Sequence, residues 1–339
     1  MINHIQNLWP SLIPEHPHIA HARSLSESRH HPVWKITTRD NHCFAIKHHL
    51  FAALTRGKPY DVMAVEKRVT DLLLGEGMPV PKIVVTCEEH GLTVYEWCGD
   101  RTLDDCFQKN TSDATSIKVI EALVALESGF QKQIPHLCSH IAPGGTLQDT
   151  RASFAEVTTT LTDLLPDLIH SLTNQTPTDL LHAWQDILHT IDQSPLCLGP
   201  TDYNARNIVF SDAGQPHILE LSKIGYDWPE RRLIQYTTSL GAHLVSGRII
   251  GLLTPDDART YAQSSAGHRV QSADEIILCL DRHHLIFHLL AALQCLKAKH
   301  DDTHPWKNTD TRLEDALRSL SVPLSNCGST GFIRRLFQA

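Results

Sequence analysis

Leu198-Gly199-Pro200-Thr201-Asp202-Tyr203-Asn204-Ala205-Arg206-Asn207-Ile208-Val209-Phe210 is the stretch on which the fold turns. It sets an aspartate five residues ahead of an asparagine and runs straight into an apolar triplet, Ile208 to Phe210. Ser211-Asp212-Ala213-Gly214-Gln215-Pro216 follows, and then a second apolar run, His217 to Leu221. Turn-forming residues between two β-prone runs predict a hairpin. Such a hairpin holds Asn207 at the entry of one strand and Glu220 at the exit of the other, with Asp202 on the loop just before it. Two carboxylates and an amide then converge at one end of a small sheet. Oxygen donors of this kind suit Mg²⁺, which keeps several waters and shares its other positions with phosphate oxygens. A loop aspartate is free to accept a proton from a hydroxyl. The Asp-x4-Asn spacing also arises by chance, so its meaning rests on what the rest of the chain supplies.

Working outward, Val33 to Thr38 and Cys43 to Lys47 flank Arg39-Asp40-Asn41 and predict another hairpin, ending in Lys47. From Asp61 to Gly75 the period becomes helical, with Val62, Val65, Val69, Leu72 and Leu73 on one side and Glu66 in the first half. Gly75 or Gly77 closes that helix, and Pro79 and Pro81 forbid its continuation. Val80 to Thr86 and Leu92 to Trp97 read as two further strands, the second leading into Glu96-Trp97-Cys98-Gly99. Thr102 before Leu103-Asp104-Asp105 marks a capped helix start. Taken singly, Lys47 reads as an edge-strand lysine reaching for water and Glu66 as an exposed acid. Residues 1–24, with three prolines, are expected to cover the edge of the first domain. Residues 110–195 and 231–320 read as helical, Leu285 to Leu296 being strongly apolar, and Gly328 to Ala339 as a small basic tail.

Composition bounds the class. The 339 residues allow roughly two domains, and 41% apolar with 20% charged is ordinary globular material. A net charge of −8 lacks a basic nucleic-acid footprint, so nucleic acid is not an expected partner. Nine scattered cysteines without a CxxC pair point to reduced thiols in a cytoplasmic protein. Met1 to Gln6 lacks the basic and apolar regions of a signal peptide, and no run reaches about 18 apolar residues, so no membrane association is expected. Of the 23 histidines, His284 and His288 are four apart and would share a helix face, but no Cys/His set or HExxH completes a metal site. Structural or surface roles are expected for the histidines.

The ordered set Lys47, Glu66, Glu96-Trp97-Cys98-Gly99, Asp202, Asn207 and Glu220 resembles the aminoglycoside phosphotransferase and choline kinase families, relatives of the protein kinases. Val65-Glu66-Lys67-Arg68 through Leu74-Gly75-Glu76-Gly77-Met78-Pro79-Val80-Pro81, and Gly225-Tyr226-Asp227-Trp228-Pro229, are also similar; the likeness spans roughly residues 25 to 245. Each motif alone is weak, and their order carries the resemblance. It implies an α+β, two-lobed protein-kinase-like fold, with a small antiparallel-sheet N-lobe (1–98) and a larger, mainly helical C-lobe (99–339) holding the catalytic loop and hairpin at 198–222. It further implies an ATP- and Mg²⁺-dependent kinase that phosphorylates a small hydroxylated molecule of aminoglycoside, amino alcohol or sugar type, as a monomer or homodimer. In that scheme Lys47, oriented by Glu66, contacts the α/β-phosphates. Backbone near Glu96, Trp97 and Cys98 binds adenine, Ser26 and Ser28 cover the phosphates, Asn207 and Glu220 hold Mg²⁺, and Asp202 is the base.

Three positions depart from the family pattern. Ser24 to Pro32, where a phosphate-covering loop belongs, has no glycine. Pro200-Thr201 stands where His-Gly is usual, and Glu220 where aspartate is usual, displacing the carboxylate by roughly 1.5 Å when misplacements of about 1 Å can cost about 100-fold. These departures leave open a catalytically impaired kinase-like protein that binds a nucleotide or a partner. A protein kinase is disfavoured, because the chain runs from Glu220 to Gly225 and Pro229 with no long activation loop. Asp227 and Glu230 are acceptor-site candidates by proximity to that segment.

Overall fold

Period-two burial builds the first sheet. The computed structural model describes residues 2–25, 32–58, 60–107, 113–239, 248–299, 306, 309–325 and 328–338. Its N-terminal part comprises α1 (Ile2–Leu12), β1 (Ile19–Ser24), β2 (Val33–Thr38), β3 (Cys43–His48), α2 (Ala52–Thr55), α3 (Val62–Gly75), β4 (Ile83–Cys87) and β5 (Leu92–Glu96). The five strands form one antiparallel sheet in the order β1-β2-β3-β5-β4. Trp34, Ile36, Phe44, Ile46, Leu92 and Val94 bury one face against Ile5, Trp9 and Ile13. The alternate residues Lys35, Ala45 and Lys47 therefore belong to the opposite face; Lys35 pairs with Ala45, Ala45 with Tyr95, and Lys47 with Thr93. The N-terminal residues do more than cover an edge, since α1 roofs a whole face and β1 adds a strand. Of the three prolines in the first 24 residues, Pro10 lies inside α1, near its end.

α3 begins and ends on the signals in its sequence. The Asp61 side chain accepts from the amides of Met63 and Ala64. Gly77, at φ 72°, lets its own amide reach Leu74 O and that of Met78 reach Leu73 O. Val65, Val69 and Leu73 pack into the core of the larger part of the molecule, and Pro79 O accepts from the Ile218 amide at 2.8 Å. α3 thus belongs to the small sheet by sequence and to the helical core by packing.

The helical part contains β6 (Arg101–Thr102), α4 (Leu103–Phe107), α5 (Asp113–Leu137), α6 (Leu147–Thr173), α7 (Leu180–Gln193), β7 (Cys197–Pro200), β8 (Ile208–Phe210), β9 (Pro216–Ile218), β10 (Ile224–Asp227), α8 (Pro229–Tyr236), β11 (Thr238–Ser239), β12 (Ile250–Gly251), α9 (Pro255–Ala266), α10 (Ala273–Ala298), α11 (Thr309–Ser321) and α12 (Gly328–Arg335). The fold is α+β: a small antiparallel sheet lobe and a larger helical lobe. β8 and β9 form the expected hairpin, and β6 pairs with β8, so the inter-lobe connector hydrogen-bonds directly to it. Gly99 makes this possible. At φ 142° its backbone passes so close to Phe210 that a Cβ would lie 1.9 Å from the Phe210 carbonyl oxygen.

α10 is long and apolar enough to cross a membrane, but 72% of its apolar window is buried inside the protein. Leu285 and Leu289 meet Leu161 and Leu165 of α6, Trp184 and Ile187 of α7, and Ile333 of α12. His283, His284 and His288 are buried with them. Arg334 holds this region from α12. It is 1% exposed and donates to Asp281 Oδ1 (2.7 Å) and to the carbonyls of Ser319 (3.2 Å) and Leu320 (3.0 Å). The basic tail is thus half structural core, the described cysteines are all free thiols, and Cys279 and Cys295 are buried in α10.

Candidate active site

Lys47 of β3 ends up buried between Glu66 of α3 and Glu220. It is 5% exposed, and its ammonium lies 3.0 Å from Glu66 Oε1 on α3 and 2.8 Å from Glu220 Oε2, which follows β9. Residues far apart in sequence therefore meet between the sheet lobe and the hairpin. Burial opposes the charge on Lys47, but Glu66 and Glu220 outweigh it and hold the ammonium well above its ordinary pKa. Burial likewise pushes Glu66 up, and Lys47 and then His49 overcome it, holding the carboxyl at about 2. His49 Nε2 stands 3.1 Å from Glu66 Oε2 and 3.1 Å from Thr93 Oγ1. The edge-lysine and exposed-acid readings do not hold for either residue.

The loop that decides the fold is pinned at both ends. Asn207 Nδ2 donates to Asp202 O at 2.7 Å, and Asn207 O accepts from the Leu219 amide at 2.7 Å. Asn207 is buried while Asp202 is exposed at the tip. Glu220 adopts φ 62°, the left-handed region that costs a non-glycine residue about 1–3 kcal/mol. Such a conformation persists only where its surroundings fix it; here they are the Leu219 bond, the Lys47 ion pair and Tyr60, whose hydroxyl donates to Ser222 O.

Pro200-Thr201 is held by a residue that sequence reasoning missed. Arg232 on α8, 4% exposed, donates to the carbonyls of Pro200 (3.0 Å), Cys197 (2.8 Å) and Gly225 (2.8 Å). It joins β7 to β10 immediately before Asp202. A Cβ on Gly199 would come within 2.7 Å of its guanidinium, so the glycine makes room for it. The available signal was the Arg231-Arg232 pair opening a short helix; the register of α8 decides which one turns inward. Arg231 instead contacts Asp227 Oδ2 at 3.2 Å, and the Tyr203 hydroxyl donates to the same carboxylate. Asp227 thus braces Tyr203, next to Asp202. Glu230 is 1% exposed and bound to Arg269 at 2.5 Å, a core ion pair away from the loop.

The connector presents Trp97 beneath Lys35, whose ammonium is 4.4 Å from the ring centroid and 2.7 Å from Asp100 Oδ2. The Glu96 carboxylate turns outward to Lys82 at 2.8 Å. Cys98 is partly buried, and burial pushes its thiol up to about 11, which makes it a poor nucleophile. Ser26 and Ser28 lie outside the described residues.

No protein-family model matches the sequence, and no curated protein does. Solved structures do match. A choline/ethanolamine kinase family protein from Mesorhizobium loti is 12% identical and superposes with TM-score 0.51, covering 99% of each chain. Aminoglycoside 2'-phosphotransferase-IIIa, in its GDP complex, is 12% identical with TM-score 0.56, covering 94% of this chain and 96% of that one. The ethanolamine kinase from Plasmodium vivax is 11% identical with TM-score 0.50, covering 91% of this chain and 82% of that one. The chain carries the protein-kinase-like fold of these phosphotransferases. In a kinase-like fold the cleft lies between the sheet lobe and the hairpin, where Lys47, Glu66 and Glu220 meet here.

Proposed function

We propose that this protein is a small-molecule kinase that transfers the γ-phosphoryl group of ATP to an alcohol. The observation that carries the reading is the junction of Lys47 with Glu66 and Glu220, a buried, oriented cation facing the carboxylate that leaves the hairpin. Our reading divides the chain after Cys98 and places the nucleotide between the lobes, its adenine against the Glu96–Cys98 backbone, in a cytoplasmic enzyme. The likeness to a choline/ethanolamine kinase family protein and to an aminoglycoside phosphotransferase supports a small hydroxylated acceptor of amino alcohol, aminoglycoside or sugar type.

The residues fit Mg²⁺. Among the described residues Glu220 Oε1 has no hydrogen-bond partner, and the Asn207 amide spends its Nδ2 on Asp202 O, which leaves Oδ1 to accept a cation. Asn207 and Glu220 would hold the ion, which would neutralise phosphate charge. Lys47 supplies a fixed positive charge to the α/β-phosphates, and Glu66, itself held by His49, keeps it in place without reorganisation at the moment of reaction. Asp202 accepts the proton of the acceptor hydroxyl as its oxygen bonds to the γ-phosphorus. The bond from that phosphorus to the β,γ-bridging oxygen breaks, and ADP departs with the electron pair.

The test couples binding to turnover. Mg-ATP at about 100 times its Kd should stabilise the fold by about 2.7 kcal/mol. A panel of amino alcohols, aminoglycosides and sugars should contain an acceptor that drives ADP release. With that acceptor, Asp202→Asn should lower kcat by about 10²- to 10⁴-fold and leave Mg-ATP stabilisation unchanged, because the base acts on the acceptor alone. Stabilisation by nucleotide without turnover on any acceptor would favour the impaired, nucleotide-binding alternative. No stabilisation by ATP, ADP or GTP would remove both.

A further inference from the structure

The abundance of histidine is not absorbed by this function, and one group of them lies on the surface of the sheet lobe, remote from Lys47. His16 follows α1, and Asp40 and His42 lie on the turn between β2 and β3. His16 Nδ1 is 2.5 Å and His42 Nδ1 is 3.1 Å from the same oxygen, Asp40 Oδ2, and one ligand atom from each of the three residues lies within 4.8 Å of the others. The two imidazoles stand with centroids 3.9 Å apart, tilted by 33°.

The backbone prepares this arrangement. The Trp9 indole donates to His16 O at 2.8 Å, and the Arg39 amide donates to His18 O at 2.9 Å, tying the two segments together. Asn41, at φ 64°, makes the turn, and the His42 amide donates to Thr38 Oγ1 at 3.1 Å. Three donors from two segments are thus held together by bonds that do not involve the donors themselves.

We propose that His16, Asp40 and His42 form a site for a divalent cation of the zinc class. Two imidazoles and one carboxylate are the ligands of Zn²⁺ and its late first-row neighbours, whereas Mg²⁺ and Ca²⁺ take oxygen. Ligand bonds of about 2.0–2.2 Å place neighbouring donors of a tetrahedron roughly 3.3 Å apart, within the range spanned here. Asp40 and His42 are about half exposed, so little solvation is lost and water can take the fourth position. The ion would join the segment after α1 to the β2–β3 turn and so fasten the roof of the sheet.

The full chain, stripped with a chelator and kept in excess Mg²⁺ to occupy oxygen sites, should bind one equivalent of Zn²⁺ by calorimetry and gain thermal stability. Co²⁺ in its place should give visible absorption of a low-coordinate nitrogen–oxygen site. His42→Asn and Asp40→Asn, both at exposed positions, should each weaken Zn²⁺ binding by at least about tenfold and abolish the gain in stability. Unchanged Zn²⁺ affinity and stoichiometry in the His16→Asn/His42→Asn double variant would overturn the assignment by placing the ion elsewhere. Absence of Zn²⁺ uptake by the wild-type protein at equimolar metal would overturn it outright.

Discussion

Glu220 reaches Lys47 because it is a glutamate. The 2.8 Å contact would open by roughly one bond length if the side chain were shortened. Glu220→Asp therefore breaks the link from hairpin to sheet lobe while introducing the residue usual in the phosphotransferases that the sequence resembles. The expected outcome is a loss of kcat of tenfold or more with weakened Mg²⁺ dependence of nucleotide binding, measured by titrating Mg²⁺ at fixed ATP. A gain in activity would show that the left-handed backbone at this position does not compensate for the longer side chain.

Sequence order named Lys47, Glu66 and Glu220, and the structure brings these three to one junction, while Asn207 is bonded to Asp202 O and the Leu219 amide beside it. Sequence order could not name His49, Tyr60 or Arg232. A histidine two residues past the lysine, a tyrosine in a loop and one of two adjacent arginines carry no spacing signal of their own. Their roles depend on where α3 lies and how α8 is rotated, and both are set by the packed core.

At the scale of elements, α8 is what aims the central loop. Its amphipathic face buries Leu233 and Ile234 and with them carries Arg232 to three carbonyls. Arg232→Lys keeps one charge but cannot serve three carbonyls from one planar fork. We expect this variant to lose at least about 2 kcal/mol of stability. Its kcat should fall more than KM for ATP rises, because Asp202 follows the disturbed strand and Lys47 does not. Denaturation and steady-state kinetics on one preparation separate the two effects. A variant that loses stability alone would confine Arg232 to holding β7 against β10. The hairpin and α3 were legible in the sequence because both carry their own turn and cap residues. α1 was not, since Pro10 interrupts its pattern and only the sheet beneath explains its apolar face.

The whole molecule is built to weaken in acid. Burial, then Arg231, holds His283 at about 3, and burial, then Arg334, holds His288 at about 3. His284, buried beside His288 and Arg334, is also held well below its ordinary value. In the unfolded chain these imidazoles titrate near 6.5. Below that pH the unfolded state takes up protons that the folded state refuses. Stability is therefore complete above about 6.5 and declines as pH falls toward about 3. The loss is on the order of a few kcal/mol per histidine. Urea unfolding between pH 7.5 and 4.5 should show a falling midpoint, and His288→Leu should flatten the slope. An equal slope in that variant would place the acid sensitivity outside His288.

The two thiols inside α10 equip the larger lobe with its own clock. Burial pushes Cys295 up to about 11 and Cys279 well above its ordinary value, so neither reacts with an alkylating reagent while the helix stays packed. Cys138 is exposed and reacts at once. After that first adduct, the slow appearance of mass-shifted peptides from residues 273–298 times how often the lobe opens under native conditions. If opening and closing are fast relative to alkylation, the rate gives the free energy of that opening, with no engineered label. Arg334→Ala, which removes the clamp on Asp281, should quicken those late adducts at least tenfold and leave the rate at Cys138 unchanged.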